Sequence, residues 1–413
     1  MLLLAWRNIW RKMGRSLSTA GAVAVVVLIT LSFFALTGAA RNGIYYSATR
    51  LAGHLQIHKA SYKDSRRLRD ISIHDNSLVQ RLETSLSEAG LRADIVSVLA
   101  VPVLIESEGR SYGVLLQGLA QSPEASERYA KEYLLKGRLP LEHDDPDILY
   151  EIALGEKLAR NLKVDLGDTL YLYAPDSEGY GAAAFELVGI LKLPNSDKLS
   201  VSPLLAAQDL AAPEAITQVE ITLLELNRER DDAHLPTIVE RLKKSLGDDL
   251  LLETWAQVNP DLASFVSYFK RIAFVISAIF FVLAGLLVAN TVYLSVMERV
   301  REFGVLRALG AKQRTVVASV LLESCLLCLV GAMVGLVLGL GVVSVLSAGF
   351  SFPKEVADFL TEQGFPQKLY GNVSLREIAI TLIFTVLTAL IAALLPALTA
   401  GRLEPVEAMR FTA

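Results

Sequence analysis

Two residue pairs in this 413-residue chain have spacings that could do chemistry. His54 and His58 fall on one side of an alternating run, two pleats apart, and Cys325 and Cys328 form a Cys-x-x-Cys. A histidine pair without a third ligand makes a poor metal site, so a solvated strand face is the reading for both histidines. The cysteines sit in the middle of an apolar run, where a thiolate is strongly disfavoured, and read as small packing residues. Five histidines and two cysteines leave little material for a multi-ligand metal centre or a disulfide framework. The phosphate-cradling GxxxxGK[ST] is absent, as are GxSxG, HExxH and GxGxxG. No metal and no cofactor are expected on this chain, and without a catalytic constellation it reads as a non-enzyme.

Two further features carry more information. Glu323 lies within an apolar stretch, and a carboxylate inside a bilayer costs at least about 2.5 kcal/mol unless it faces a partner or water. Its expected partner is Asn290, Thr291 or Ser295 of the preceding apolar segment, with a proton or substrate role as the alternative. Residues Glu298 to Ala311 read ERVREFGVLRALGA, with Val300, Phe303, Leu306 and Leu309 at roughly helical spacing and Arg299, Arg301, Glu302 and Arg307 around them. This spacing predicts a short amphipathic helix ended by Gly310, either a surface loop helix or a docking helix for another protein.

The elements that must position these residues follow from the distribution of charge. The chain is 52% hydrophobic and 20% charged, with a mean hydropathy of +0.41, too apolar for an ordinary soluble protein. Charged residues are absent from 16–40, 272–297, 324–352 and 378–401, each long enough to cross about 30 Å of hydrocarbon as a helix. We read transmembrane helices at 16–40, 272–297, 315–349 and 377–401. A domain at 41–271 falls between the first two, a loop at 350–376 between the last two, and a tail at 402–413. Ahead of the first span, residues 1–15 form an interfacial elbow, with Trp6, Trp10, Met13 and Leu17 on one face. A cleaved signal peptide is the weaker alternative, because the apolar run exceeds the usual ~7–15 residues. Basic residues crowd 1–15 and 298–314, while 41–271 holds 26 basic and 35 acidic residues. By the positive-inside rule both termini and the 298–314 loop are cytoplasmic, and the acidic insert lies outside the inner membrane.

Within the insert, strands are expected at Asp94–Glu106, Gly113–Leu119, Thr169–Tyr173, Phe185–Leu193 and Gln218–Leu223, and near Leu55 and Ile57. Helices are expected at Ser122–Leu135, Gly155–Leu162, Ser202–Leu210, Thr237–Leu246, and from a cap at Asn76 to Ala89 with Gly90 as its stop. Mixed strands and helices without strict alternation indicate an α+β domain of two lobes. In the third span Gly331, Gly335, Gly339 and Gly341 make a stripe that permits close helix approach.

The run ERVREFGVLRALGA, followed by LLESCLL and a Gly-rich helix, resembles the FtsX-like permease family of ABC transporters. LAWRNIWRKMGRSL is similar to that family's N-terminal elbow, and LPALTAGRLEPVEAMR to its C-terminal signature. GHLQIH and LGEKLARNLKVDLGDTLYLYAP resemble the lipoprotein-releasing LolC/LolE branch rather than FtsX itself. The resemblance implies a type VII architecture of four helices with a large periplasmic α+β domain between the first and second. It also implies a second permease, as a copy or a paralogue, and two copies of a separate ATPase that binds the ATP and Mg. A lipoprotein is the implied substrate, membrane lipid and a periplasmic carrier or adaptor are the further partners, and no nucleic acid is involved.

Carried onto this chain, the family's ATPase-coupling helix falls on Glu298, Arg299, Glu302, Phe303, Gly304, Leu306, Arg307 and Gly310. Phe33, Phe34, Phe265, Tyr268, Phe269 and Phe274 would line a laterally open lipid cavity, ordinary lipid-facing packing being the alternative. The hairpin that holds a carrier in one Lol permease corresponds to the loop from Pro175 to Ala183, with Asp176, Glu178 and Tyr180 at or beside its tip. The implied function is release of lipoproteins from the inner membrane. MacB-like efflux and FtsX-like regulation of a hydrolase are the alternatives.

Overall fold

A computed structural model describes residues 13–402, apart from 66, 144–148, 176–179, 194–195, 227–231, 233, 245, 248 and 363–367; residues 1–12 of the elbow expected at 1–15 and the tail beyond 402 lie outside the described residues. Among the described residues, four helices are long and apolar enough to cross a membrane: α1 (Met13–Ala52), α2 (Pro260–Glu298), α4 (Gln313–Ser347) and α5 (Leu375–Arg402), with the short α3 (Val300–Ala308) between α2 and α4. At 40 and 39 residues, α1 and α2 are each about 60 Å long, twice the hydrocarbon thickness. They therefore outrun the uncharged stretches, because a helix continues past the membrane wherever no Gly or Pro stops it. Hydroxyls within these helices turn back on their own backbone: Ser32 Oγ donates to Leu28 O at 2.8 Å, Thr37 Oγ1 to Phe33 O at 2.9 Å and Ser324 Oγ to Val320 O at 2.9 Å. This satisfies them without a partner from another helix.

The membrane unit comprises residues 1–41, 267–350 and 368–413. In it α4 packs on α1 through glycines. A Cβ built on Gly331 would lie 2.5 Å from Ala20 O, one on Gly335 2.5 Å from Ala24 O, and one on Gly339 2.9 Å from the Leu31 side chain. Gly341 does not belong to this stripe, since its Cβ would meet nothing within 4 Å. Ala389, Ala393, Ala397 and Ala400 of α5 are buried together with Val316, Val320, Cys328 and Ala332 of α4. Cys328 is thus a packing residue of this core, and Cys325 is half-buried.

The second unit spans 42–266 with 351–367, and its described residues include the strands β1 (Leu55–Lys59), β2 (Ala93–Ser107), β3 (Arg110–Leu119), β4 (Leu134–Gly137), β5 (Tyr150–Gly155), β6 (Thr169–Pro175), β7 (Tyr180–Leu191), β8 (Leu199–Pro203), β9 (Gln218–Leu223) and β10 (Leu250–Thr254). They form one sheet in the order β10-β1-β9-β2-β3-β8-β5-β7-β4, with β6 pairing β2 and β7. One continuous sheet replaces the expected separation into two lobes. Its pairs are antiparallel except β3 with β8 and β5 with β7. The core runs from Leu99 through Ile152 and Phe185 to Ala211.

Several local expectations change. Ser77, not Asn76, occupies the cap of the helix Leu78–Glu88, and the Asp75 carboxylate accepts hydrogen bonds from Ser77 N and Oγ. Gly90, at φ +70°, is the stop. The helix expected to reach Leu135 ends at Tyr133, and Leu134 starts β4. At the end of α1, Gly53 adopts φ +70° and approaches β9 so closely that a Cβ would sit 2.9 Å from Ile221 N and O. No other residue type fits this turn.

His54 and His58 are buried rather than solvated: β1 is an inner strand between β9 and β10, and the two rings lie against Tyr45 and Tyr62. Leu223 N donates to His54 Nδ1 at 3.1 Å, which leaves Nε2 to donate to Leu226 O at 2.9 Å. His58 Nε2 lies 3.0 Å from Gln56 Oε1. Burial pushes both from 6.5 to about 4. On the neighbouring β9, burial pushes Glu220 up from 4.5 to about 8, against a hydrogen bond donated by Gln218 Nε2 at 2.7 Å.

Two outcomes are expected. Gly335→Ala should destabilise the membrane unit by roughly 1–3 kcal/mol through overpacking, whereas Gly341→Ala should be neutral or stabilising by up to about 1 kcal/mol; thermal unfolding of the purified full chain in detergent measures both. The second concerns pH. As pH falls from 6.5 toward about 4 the unfolded chain takes up protons at both histidines and the fold does not, so stability is lost at roughly 1.4 kcal/mol per pH unit for each. Glu220 acts oppositely: its contribution is complete below 4.5 and lost as pH rises toward about 8. These three groups place the stability maximum near pH 6.5, and Glu220→Gln should flatten the alkaline side and steepen the acid side above pH 4.5, where Glu220 opposes the two histidines. Amide exchange of β1 and β9 in the intact protein, corrected for intrinsic rates, reads this directly.

Candidate functional site

The loop between α2 and α4 builds a structured element rather than a flexible turn. Arg299 breaks α2 at φ −112°, ψ 13°, its N–H donating to Val296 O and its carbonyl accepting from Phe303 N, both at 3.0 Å. At the other end Gly310, at φ +91°, lets Ala311 N reach Leu306 O and Gly310 N reach Arg307 O, both at 3.0 Å. This pair of bonds is a Schellman closure, and it fixes α3 at nine residues.

The expected apolar stripe divides between two faces. Each helical residue advances by roughly 100°, so positions spaced three apart drift, and nine residues bring Leu309 to the side opposite Val300. Val300, Phe303 and Gly304 are buried, with Phe303 in the membrane-unit core beside Val316 and Val320. Leu306 is 48% exposed and Leu309 80%. Arg301, Glu302 and Val305 share that outer face. Phe303 and Gly304 therefore cannot be surface contacts, while Arg301, Val305 and Leu309 join the exposed set. The 3.6-residue period applied strictly across 300–309 would have found this division.

Arg299 is also turned away from the outer face. Its Nη1 donates to Glu323 Oε2 at 2.7 Å and its Nε to Glu302 Oε2 at 3.0 Å, and the guanidinium carbon lies 5.1 Å from the centre of the Phe303 ring. Glu323 thus has Arg299 as partner instead of Asn290, Thr291 or Ser295, because an opposite charge compensates a carboxylate in an apolar surrounding better than an amide or hydroxyl does. Thr291 and Ser295 instead line, with Glu298, Arg299, Glu302 and Glu323, a cavity of about 240 Å³. Arg307 is half-buried, its Nη1 donating to Ala311 O at 3.4 Å. Glu298 is exposed at the end of α2.

Of the aromatic residues, Phe33 and Phe34 are half-buried on α1, Phe269 is half-buried on α2, and Phe265, Tyr268 and Phe274 are exposed on α2. Asp176 and Glu178 lie outside the described residues. Pro175 ends β6 directly opposite Tyr180, which opens β7 and is 83% exposed.

Residues 274–405 match the FtsX-like permease C-terminal model. An ABC transporter permease of Methanocaldococcus jannaschii is 30% identical over 174 residues, 42% of this chain and 41% of that protein. A macrolide export ATP-binding/permease protein MacB of Syntrophobacter fumaroxidans is 25% identical over 171 residues, 41% of this chain and 22% of that protein. The chain spans less than half the length of these relatives. Among solved structures, the periplasmic region of MacB from Actinobacillus actinomycetemcomitans covers 52% of this chain and 95% of its own, with 14% identity and a TM-score of 0.35.

Proposed function

We propose, from the premise that residues 274–405 form an FtsX-like permease domain, that this chain is the non-catalytic membrane subunit of an ABC transporter, driven through α3 by an ATPase on another chain. The carrying observation is the outer face of α3. Val305, Leu306 and Leu309 stand exposed beside Arg301 and Glu302, while the opposite face is packed into the membrane unit. A helix of this kind offers an apolar anchor with a charged rim, the pattern of a protein contact. By the positive-inside rule we read α3 and both termini as cytoplasmic, where ATP is available, and the insert domain as lying outside the inner membrane. α1 and α2, at 40 and 39 residues, would carry force out of the membrane. A second permease subunit completes the transporter.

For cargo we favour an acylated lipoprotein, on the resemblance of residues 53–58 and 154–175 to the LolC/LolE branch and on the exposed aromatic residues of α2. Phe265, Tyr268 and Phe274 would meet acyl chains, and Pro175 and Tyr180 would flank a hairpin able to meet a carrier.

Replacing Leu306 and Leu309 together by Asp should lower ATPase binding and membrane-stimulated hydrolysis at least about tenfold, as loss of buried anchors at an interface does. Unchanged values in the reconstituted complex would reject α3 as the docking element. The cargo is tested separately: depletion should retain lipoproteins in the inner membrane. Normal lipoprotein release accompanied by drug sensitivity would replace this cargo with an efflux substrate and leave the coupling reading intact.

A further inference from the structure

We infer that Arg299 and Glu323 form a latch that fixes the α3 helix to α4, so that Arg299 is a positioning residue for coupling rather than a contact of the ATPase. The inference rests on the coupling role proposed for α3, and its geometry is independent of that role. Arg299 is the one residue between α2 and α3, outside both helices. Val300 and Phe303 pack the inner face of α3, but apolar packing alone leaves the break without a directional tie. The tie comes from the Arg299 side chain, which holds two carboxylates at once through different nitrogens, Glu323 at 2.7 Å and Glu302 at 3.0 Å.

The two partners differ. The Glu302 side chain is 46% exposed, on the outer face, whereas those of Arg299 and Glu323 are 21% and 15% exposed. An exposed pair spaced by three residues on a helix contributes little. An ion pair largely removed from water is held firmly, because separating its members leaves an uncompensated charge in an apolar surrounding. Glu323 therefore bears the connection. It lies ten residues beyond the start of α4 at Gln313, about 15 Å along that helix, so the latch joins the α2–α3 break to the body of α4 rather than to its first turn. The Phe303 ring under the guanidinium closes the arrangement from the α3 side and limits the rotamers open to Arg299. A push on the outer face of α3 is then resisted by α4 through Arg299, and is not dissipated as rotation about the break.

A merely structural ion pair would lower overall stability; a latch makes a narrower demand. Glu323→Gln keeps shape and removes charge, Arg299→Lys keeps charge and removes the fork, and Arg299→Glu with Glu323→Arg restores the pair in reverse. In the full chain in lipid nanodiscs, Glu323→Gln should raise amide exchange across 300–308 at least tenfold with the insert-domain strands unchanged. Arg299→Lys should fall between it and the parent, and the reversed pair should return to within threefold of the parent. With the ATPase bound, Glu323→Gln should keep ATPase affinity within threefold yet lose most of the stimulation of hydrolysis, and the reversed pair should recover at least half of it. Parent-like exchange at 300–308 in Glu323→Gln, or failure of the reversed pair to restore protection, overturns the latch. So does a parallel loss of protection throughout the chain. If the Leu306 and Leu309 variants leave ATPase behaviour unchanged, the coupling reading fails, and the exchange measurement still decides the latch.

Discussion

The membrane unit depends on a stripe of α4 from which side chains are missing. Lipid tails are as apolar as leucine and supply little drive for helices to associate, so association has to come from close approach. Gly331 and Gly335 bring the α4 backbone against the carbonyls of Ala20 and Ala24 on α1. On another side of α4, Ala389, Ala393, Ala397 and Ala400 of α5 perform the same service. With the small residues turned inward, the large ones of α4, such as Val337, Leu338 and Val345, are left exposed, as a lipid-facing surface requires. Once α4 is fixed in this way, a polar group on it has a defined position, and Glu323 can act as an anchor.

Many polar residues of this unit are satisfied in one of two ways. Hydroxyls that have no need of another helix bond to their own backbone one turn back, as Ser32, Thr37, Ser324 and Thr385 do. Charges that cannot do so join different elements. Arg41 of α1 meets Glu377 of α5 at 3.3 Å, and the same Glu377 accepts from Ser374 N and Oγ at the start of α5. Arg299 meets Glu323 in the corresponding manner between the α2–α3 break and α4. Isolated charges in an apolar surrounding are costly, so each pair also specifies which elements lie together.

How far the sequence could be read follows from the same physics. The four helices are legible because a missing charge over twenty or more residues has almost no other explanation. Strands β2, β3 and β6 are legible because one face is covered and the other open, as in the alternating exposure of Thr169–Pro175. Strands β5, β8 and β10 escape this reading. EIALG is buried without alternation, and a continuous short apolar run does not declare its period. The burial of His54 and His58 is hidden for a related reason: β1 becomes an inner strand only through β9 and β10, more than 150 residues away, and His54 bonds to Leu223 and Leu226 at and after the end of β9. Gly341 shares the composition of the glycine stripe and lacks its rotation about the helix. Arg299 and Glu323 lie 24 residues apart, and only the three-dimensional path of the loop brings them together.

The α3 helix shows how these constraints combine. A helix of nine residues is too short to be stable alone, since isolated helices below about 12–15 residues are marginal in water. Three things hold it: the closure at Gly310, the burial of Val300 and Phe303, and the side chain of Arg299. All three depend on the membrane unit or on the turn that connects to it. The exposed leucines are thus presented by a helix whose conformation is lent to it by the bundle beneath. A partner that grips Leu306 and Leu309 meets the packing of α4 and α5 rather than a pliant loop, and any displacement it imposes has to be taken up by α4, α5 or the break at Arg299.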